Sequence, residues 1–176
     1  YRPSYGAIYL DSLDLDHIKR DRITQLITYM PQDYRLFQGT LRDNLIIGLF
    51  GVSDDQIIQA AATTGLIETI KQHPLGVDMP IAEGGVGLSG GQRSLVGITR
   101  LLLCSAPVVL ADEPTGNLDS KTGHEIINLL IDLNNAGHTI VIITHDESIA
   151  EHAKRLIRIV DGKIVSDKKI KQKAVV

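Results

Sequence analysis

Pro107-Val108-Val109-Leu110-Ala111-Asp112-Glu113-Pro114 is an apolar run that opens after one proline and ends in two carboxylates before another. Such a run predicts a strand buried on both faces, as in parallel sheets. Downstream, Ile126, Ile127, Leu129, Leu130 and Leu133 recur at helical spacing, Gly137 suits a helix stop, and Thr139 to Thr144 reads as a second apolar strand. Strand, helix, strand in this order predicts a parallel sheet with right-handed crossovers. In such sheets ligands gather at strand carboxyl ends, where Asp112 and Glu113 stand.

Upstream, Leu88-Ser89-Gly90-Gly91-Gln92 runs directly into the helical stretch Arg93 to Cys104. A serine hydroxyl and unpaired N–H groups at a helix start, with glycines that admit close approach, form an arrangement that grips phosphate. Farther out, Ala7 to Leu10 and Ile27 to Met30 read as short strands. Thr40 with Asp43, and Ser53 with Gln56, are capping boxes that open helices in a mainly helical region from 40 to 73. Leu75 to Gly87 reads as a loop. Leu156 to Val160 and Lys163 to Val165 flank Asp161-Gly162, a hairpin signal, and Lys168, Lys169, Lys171 and Lys173 form a basic tail.

The 176 residues suit one domain, and 43% apolar with 22% charged residues exclude disorder. A net charge of −3 provides no global basic field for nucleic acid. Cys104, the only cysteine, excludes an internal disulfide framework and reads as a core thiol. No signal peptide is visible at the start, and Ser94 to Ala111, the most apolar stretch, is broken by Arg100 and Pro107, so it does not read as a membrane span.

Of the paired carboxylates, one can hold hydrated Mg²⁺ and the other can orient or deprotonate water. Five elements then stand in one order: Gln32 in Tyr-Met-Pro-Gln, Leu88 to Gln92, Val108 to Pro114, Asn117-Leu118-Asp119, and Ile143-Thr144-His145-Asp146. In order and spacing they resemble the nucleotide-binding domain of ATP-binding cassette (ABC) transporters over nearly the whole chain. That resemblance implies an α/β fold: a P-loop NTPase-like parallel sheet core flanked by helices, with a helical subdomain between the Q-loop and the signature motif. Residues 1–32 would end the first core segment at the Q-loop and 33–92 would be the helical subdomain with the signature. Residues 93–167 would be the Walker B, D-loop and H-loop core, and 168–176 the basic tail.

Carried over residue by residue, the resemblance implies that Gln32 is the Q-loop glutamine, sensing Mg²⁺ and the attacking water. Ser89, Gly90, Gly91 and Gln92 would contact the γ-phosphate of an ATP held mainly by an opposite subunit. Asp112 would be the Walker B carboxylate near Mg²⁺, Glu113 the general base, Asp119 the D-loop residue at a dimer interface, and His145 the switch histidine. His17, His73, His124, His138 and His152 receive no role. The implied partners are a second nucleotide-binding domain and a transmembrane domain, fused or separate, at the cytoplasmic face of the cell membrane, with no nucleic acid.

No Gly-x-x-x-x-Gly-Lys-Ser/Thr occurs in the chain. The expectation is truncation before or at the Walker A loop, with the N-terminal strands and P-loop missing, so that this segment alone binds ATP poorly while the intact polypeptide is an ATPase. Tyr34 to Leu45 resembles peptide, bacteriocin and type I secretion exporters with fused membrane domains; Ala111 to Ser120 resembles lipoprotein-release and macrolide-export ATPases. Both point to export. DNA-repair and chromosome ATPases would need a long coiled-coil excursion between Gln32 and Leu88, and the interval 33–87 has no sustained heptads. A non-catalytic remnant supplying only the signature half-site is the remaining alternative.

Overall fold

The computed structural model describes residues 3–116 and 118–170; Tyr1, Arg2, Asn117 and the tail positions Lys171 and Lys173 lie outside the described residues. In chain order the elements are β1 (Tyr9–Leu10), β2 (Leu13–Asp14), α1 (Arg20–Leu26), β3 (Ile27–Met30), β4 (Gly39–Thr40), α2 (Leu41–Ile46), α3 (Asp54–Thr64) and α4 (Ile67–Gln72). There follow β5 (Pro80–Ile81), α5 (Gly90–Cys104), β6 (Val108–Asp112), α6 (Ser120–Asn135), β7 (Thr139–Ile143), α7 (Glu147–Ala150), β8 (Arg155–Val160) and β9 (Lys163–Lys169).

Local chemistry sets most of these boundaries. Thr40 with Asp43, Ser53 with Gln56 and Ser89 with Gln92 all close reciprocal capping boxes at helix starts. Gly65 ends α3 in the left-handed conformation, as helix C-termini favour. Asp161 and Gly162 both take positive φ, 47° and 71°, the geometry of a two-residue hairpin turn between β8 and β9. The helical region 40–73 thus resolves into three helices. The expected strand at Ala7 shrinks to Tyr9–Leu10, and the 75–87 loop contains β5, which pairs with β4.

The sheet that organises the core is parallel, in the order β3-β6-β7. Met30, Val109 and Ala111 face Ile98, Leu101, Ile126, Ile127 and Leu130 of α5 and α6 in one buried cluster. A second cluster, built from Leu41, Leu45, Ile57, Leu66, Ile70 and Val96, holds the helical region together. Leu95 packs against both, so α5 is the shared wall of the two cores. A buried hydroxyl pair, Thr64 and Thr99 at 2.7 Å, joins α3 to α5.

The expectation that the β6 strand is buried on both faces is corrected. Val109 and Ala111 are buried but Val108, Leu110 and Asp112 are half-buried, and on β3 and β7 Tyr29, Val141 and Ile143 are exposed. The strands advance in one direction, β3 to β6 to β7, so right-handed crossovers put both connecting helical segments on the same face. Cys104 is half-buried rather than a core thiol. Among the described residues no helix is long and apolar enough to cross a membrane.

Candidate functional site

β6 ends at Asp112, and Glu113 turns away with φ 45°, a left-handed conformation that is uncommon for a residue with a side chain. The turn is held on both sides: Glu113 N–H donates to the Ile143 carbonyl at 2.9 Å, and Gly116 N–H donates back to the Glu113 carbonyl at 3.0 Å. Glu113 is therefore aimed across the top of the sheet toward the end of β7.

There the loop after Ile143 receives it. The His145 ring Nδ1 lies 2.6 Å from Glu113 Oε1, the His145 N–H donates to the same oxygen at 2.9 Å, and the Thr144 hydroxyl donates to Oε2 at 3.2 Å. Thr144 is itself fixed, accepting from Asp146 N–H, while Asp146 caps α7 by accepting from Ser148. Partial burial pushes the Glu113 carboxyl up, but the bonds from His145 and Thr144 outweigh it and hold it below the ordinary carboxylate range. The hydrogen bond and charge of Glu113 in turn raise the His145 imidazole above its usual value, although its side chain is 86% exposed.

Asp112 points from the same strand end. Its Oδ2 accepts the Tyr29 hydroxyl of β3 at 2.9 Å, and this bond raises the Tyr29 phenol. Tyr29 is absent from the residues singled out in the sequence. Its only signal there is position, three residues before Gln32. Gln32 follows β3 and brings its amide nitrogen 3.2 Å from the point where a Cβ on Gly116 would sit, over the turn that Glu113 begins. Gln32, Asp112, Glu113 and His145, far apart in the chain, thus meet at the carboxyl end of one sheet.

Ser89 to Gln92 form a second group at the start of α5. Ser89 Oγ accepts Gln92 N–H at 3.1 Å and Gln92 Oε1 accepts Ser89 N–H at 2.9 Å. The serine hydroxyl therefore serves its own helix as an acceptor and keeps a proton to donate. The N–H groups of Gly90 and Gly91 belong to the first turn, which cannot pair them within the helix. A Cβ on Gly91 would meet Thr122 Cγ2 at 3.1 Å, which places the start of α5 against the start of α6. Asp119 caps that helix, accepting from Thr122 N–H at 3.0 Å and the Thr122 hydroxyl at 2.8 Å, bonds that lower its carboxyl.

Among the described residues no group of three or more His, Cys, Asp or Glu is placed to hold a metal by itself. The donors at the sheet end, the Asp112 carboxylate and the Gln32 amide, suit instead a hydrated Mg²⁺ that completes its shell with water and phosphate oxygens. His138, given no role in the sequence, bonds through its ring to the Ala106 carbonyl at 2.9 Å and ties the end of α6 to the loop before β6.

Known proteins resemble this chain in sequence and in fold. The chain is 35% identical over 170 residues to the transport/processing ATP-binding protein ComA of Streptococcus pneumoniae, covering 96% of this chain and 23% of that protein. It is 57% identical over 81 residues to the macrolide export ATP-binding/permease protein MacB of Burkholderia thailandensis, covering 46% of this chain and 12% of that protein. Its structure resembles that of a bacterial Atm1-family ABC exporter with ATP bound, with a TM-score of 0.88 and 27% identity, over 96% of this chain and 30% of that one. The chain spans about a quarter of the length of the full-length relatives it matches. The family model described as ABC transporter matches residues 1–116, more than half the chain, and with the parallel sheet and the residues gathered at its end this shows that the chain belongs to the ABC transporter family.

Proposed function

We propose that these residues form the greater part of an ATPase site in the nucleotide-binding unit of an ABC exporter. The observation that carries the reading is Glu113, turned out of β6 beside Asp112 and held by His145 and Thr144. In this reading Glu113 is the general base for the water that attacks the terminal phosphate. While paired with His145 its basicity is held down; when the imidazole swings to the γ-phosphate, the carboxylate loses that partner and becomes the stronger base. The pair therefore links phosphate contact to proton abstraction.

Asp112 and Gln32 would hold Mg²⁺ through water, and the ion, when bound, neutralises charge on the phosphates. Tyr29 fixes the rotation of the Asp112 carboxylate. Ser89 to Gln92 would present a hydroxyl proton and two N–H groups to the γ-phosphate of an ATP held mainly by a second nucleotide-binding domain. Asp119, at the neighbouring helix start, would stand at that dimer interface. A transmembrane domain, fused or separate, would place the unit at the cytoplasmic face of the membrane. The transport/processing and macrolide-export relatives support an export role. Nucleic acid is not among the proposed partners.

The 176 residues include no Walker A sequence. A few charge-assisted hydrogen bonds of about 1.5–3 kcal/mol each would supply most of the roughly 8 kcal/mol of a micromolar affinity. This segment by itself therefore binds ATP weakly, and a micromolar affinity measured on residues 1–176 would contradict that. The function is tested on the intact gene product with Mg²⁺-ATP: Glu113→Gln is expected to abolish hydrolysis while ATP remains bound, and unchanged turnover would overturn the assignment.

A further inference from the structure

α5 carries a glycine where a helix does not want one. Gly97 is buried in the middle of this 15-residue helix, where glycine weakens the helix relative to alanine. Space explains it. A Cβ at Gly97 would lie on ring carbons Cε1 and Cζ of Tyr34, whereas one at Gly123 in α6 would meet nothing closer than Thr115 at 3.5 Å. The Tyr34 ring is thus inlaid into α5. Its hydroxyl oxygen is sealed from solvent without a protein partner, so the fold retains the ring here despite an unsatisfied polar atom.

A second tie lies one turn further along the helix. Arg100 donates both Nε and Nη2 to the Asn44 carbonyl, at 2.9 and 2.6 Å. Asn44 is 1% exposed and its side chain accepts Phe37 N–H while donating to the Phe37 and Thr40 carbonyls. The chain leaving Gln32 is therefore fastened to α5 at Gly97 and Arg100. Ser89 caps the same helix two turns before Gly97.

We propose that Tyr34 is a positioning residue that uses the Gly97 notch to lock the Gln32 loop to the helix bearing Ser89 to Gln92, so that the two phosphate-sensing segments move as one body. This rests on the ATPase reading above. The linkage gives the signature group a rigid route to Gln32, whose amide stands over the Glu113 turn.

The test is a set of variants in the intact gene product. Tyr34→Leu is expected to lower kcat for ATP at least about tenfold, as misplacement of a positioned group does, with KM changed much less. In a Gln32→Ala background the same change is expected to matter by no more than about twofold, because Tyr34 acts through Gln32. Tyr34→Phe, which keeps the ring, should retain wild-type kcat. Gly97→Ala should lower the unfolding temperature, and adding Tyr34→Leu should restore it. Equal losses from Tyr34→Leu with and without Gln32 would overturn the proposal, showing a merely structural role.

An independent arm reads hydrogen exchange. Tyr34→Leu should raise exchange across residues 33–40, and unchanged exchange there would also overturn the lock. If the unsubstituted protein hydrolyses no ATP, the ATPase reading fails, and exchange alone decides whether Tyr34 holds the loop.

Discussion

Glu113 Oε1 accepts two hydrogen bonds from one residue, His145, through the ring at 2.6 Å and the backbone N–H at 2.9 Å. The backbone bond persists whatever the imidazole does, so the histidine can turn away without releasing the carboxylate into solvent. The position of Glu113 and the charge of its partner are thereby set separately.

The pH dependence of this pair has a definite sign. His145 is raised above its ordinary 6.5, so its contribution is complete below that value and is lost as pH rises through the raised one. Glu113 is lowered below its ordinary 4.5, so its contribution is complete above that value and is lost as pH falls through the lowered one. The ion pair is therefore complete between these two ordinary values. With ¹³C-labelled histidine, the His145 resonance should titrate above 6.5, and Glu113→Gln should bring the midpoint down. A midpoint indifferent to that substitution would contradict the pairing.

Removing the Tyr29 hydroxyl frees the Asp112 carboxylate to rotate. Tyr29→Phe should raise the Mg²⁺ concentration needed for half-maximal ATP hydrolysis severalfold, as loss of a group orienting a metal ligand does, commonly by about 10-fold or more. Stability should change little, because Tyr29 is exposed. A Mg²⁺ titration on both proteins decides it.

Ser53 and Ser89 close the same capping box on two helices, with Gln56 and Gln92 as reciprocal partners. Replacing either with alanine should cost about 1 kcal/mol of stability, read as similar drops in unfolding temperature. Only Ser89→Ala should reduce ATP turnover. Equal turnover in the two variants would show that the Ser89 hydroxyl serves the helix alone.

Leu130, 1% exposed between α6 and the sheet, has no part in the site. Leu130→Ala should destabilise by about 2–5 kcal/mol through lost burial and a residual cavity, with kcat per folded molecule unchanged. Thermal unfolding and an active-fraction assay separate the two.

Much of the secondary structure is written locally. The three capping boxes need only residues i and i+3, the Asp161-Gly162 turn needs two positions, and the runs Ile27 to Met30 and Val108 to Asp112 carry β-branched side chains between prolines or turns. Where a local signal is weak, prediction fails. α1, reading Arg-Asp-Arg-Ile-Thr-Gln-Leu, has no side-chain cap and no buried residue, and β4 and β5 are two residues each, defined only by finding one another. The single-sided burial of the sheet was equally hidden, since it depends on which side both crossovers take.

The sequence by itself determined the strongly patterned elements, where the capped helices begin, and which residue types arm the strand ends, because caps, turns and periodicity act within a few residues. Only the tertiary structure decided the order β3-β6-β7, the bond from Tyr29 to Asp112 across 83 positions, the meeting of Glu113 with His145 across 32, and the seating of Tyr34 on Gly97. Lengthening a loop adds little entropic cost, so distance along the chain does not specify such partners. They are selected by shape and hydrogen-bond complementarity once the two cores close around α5.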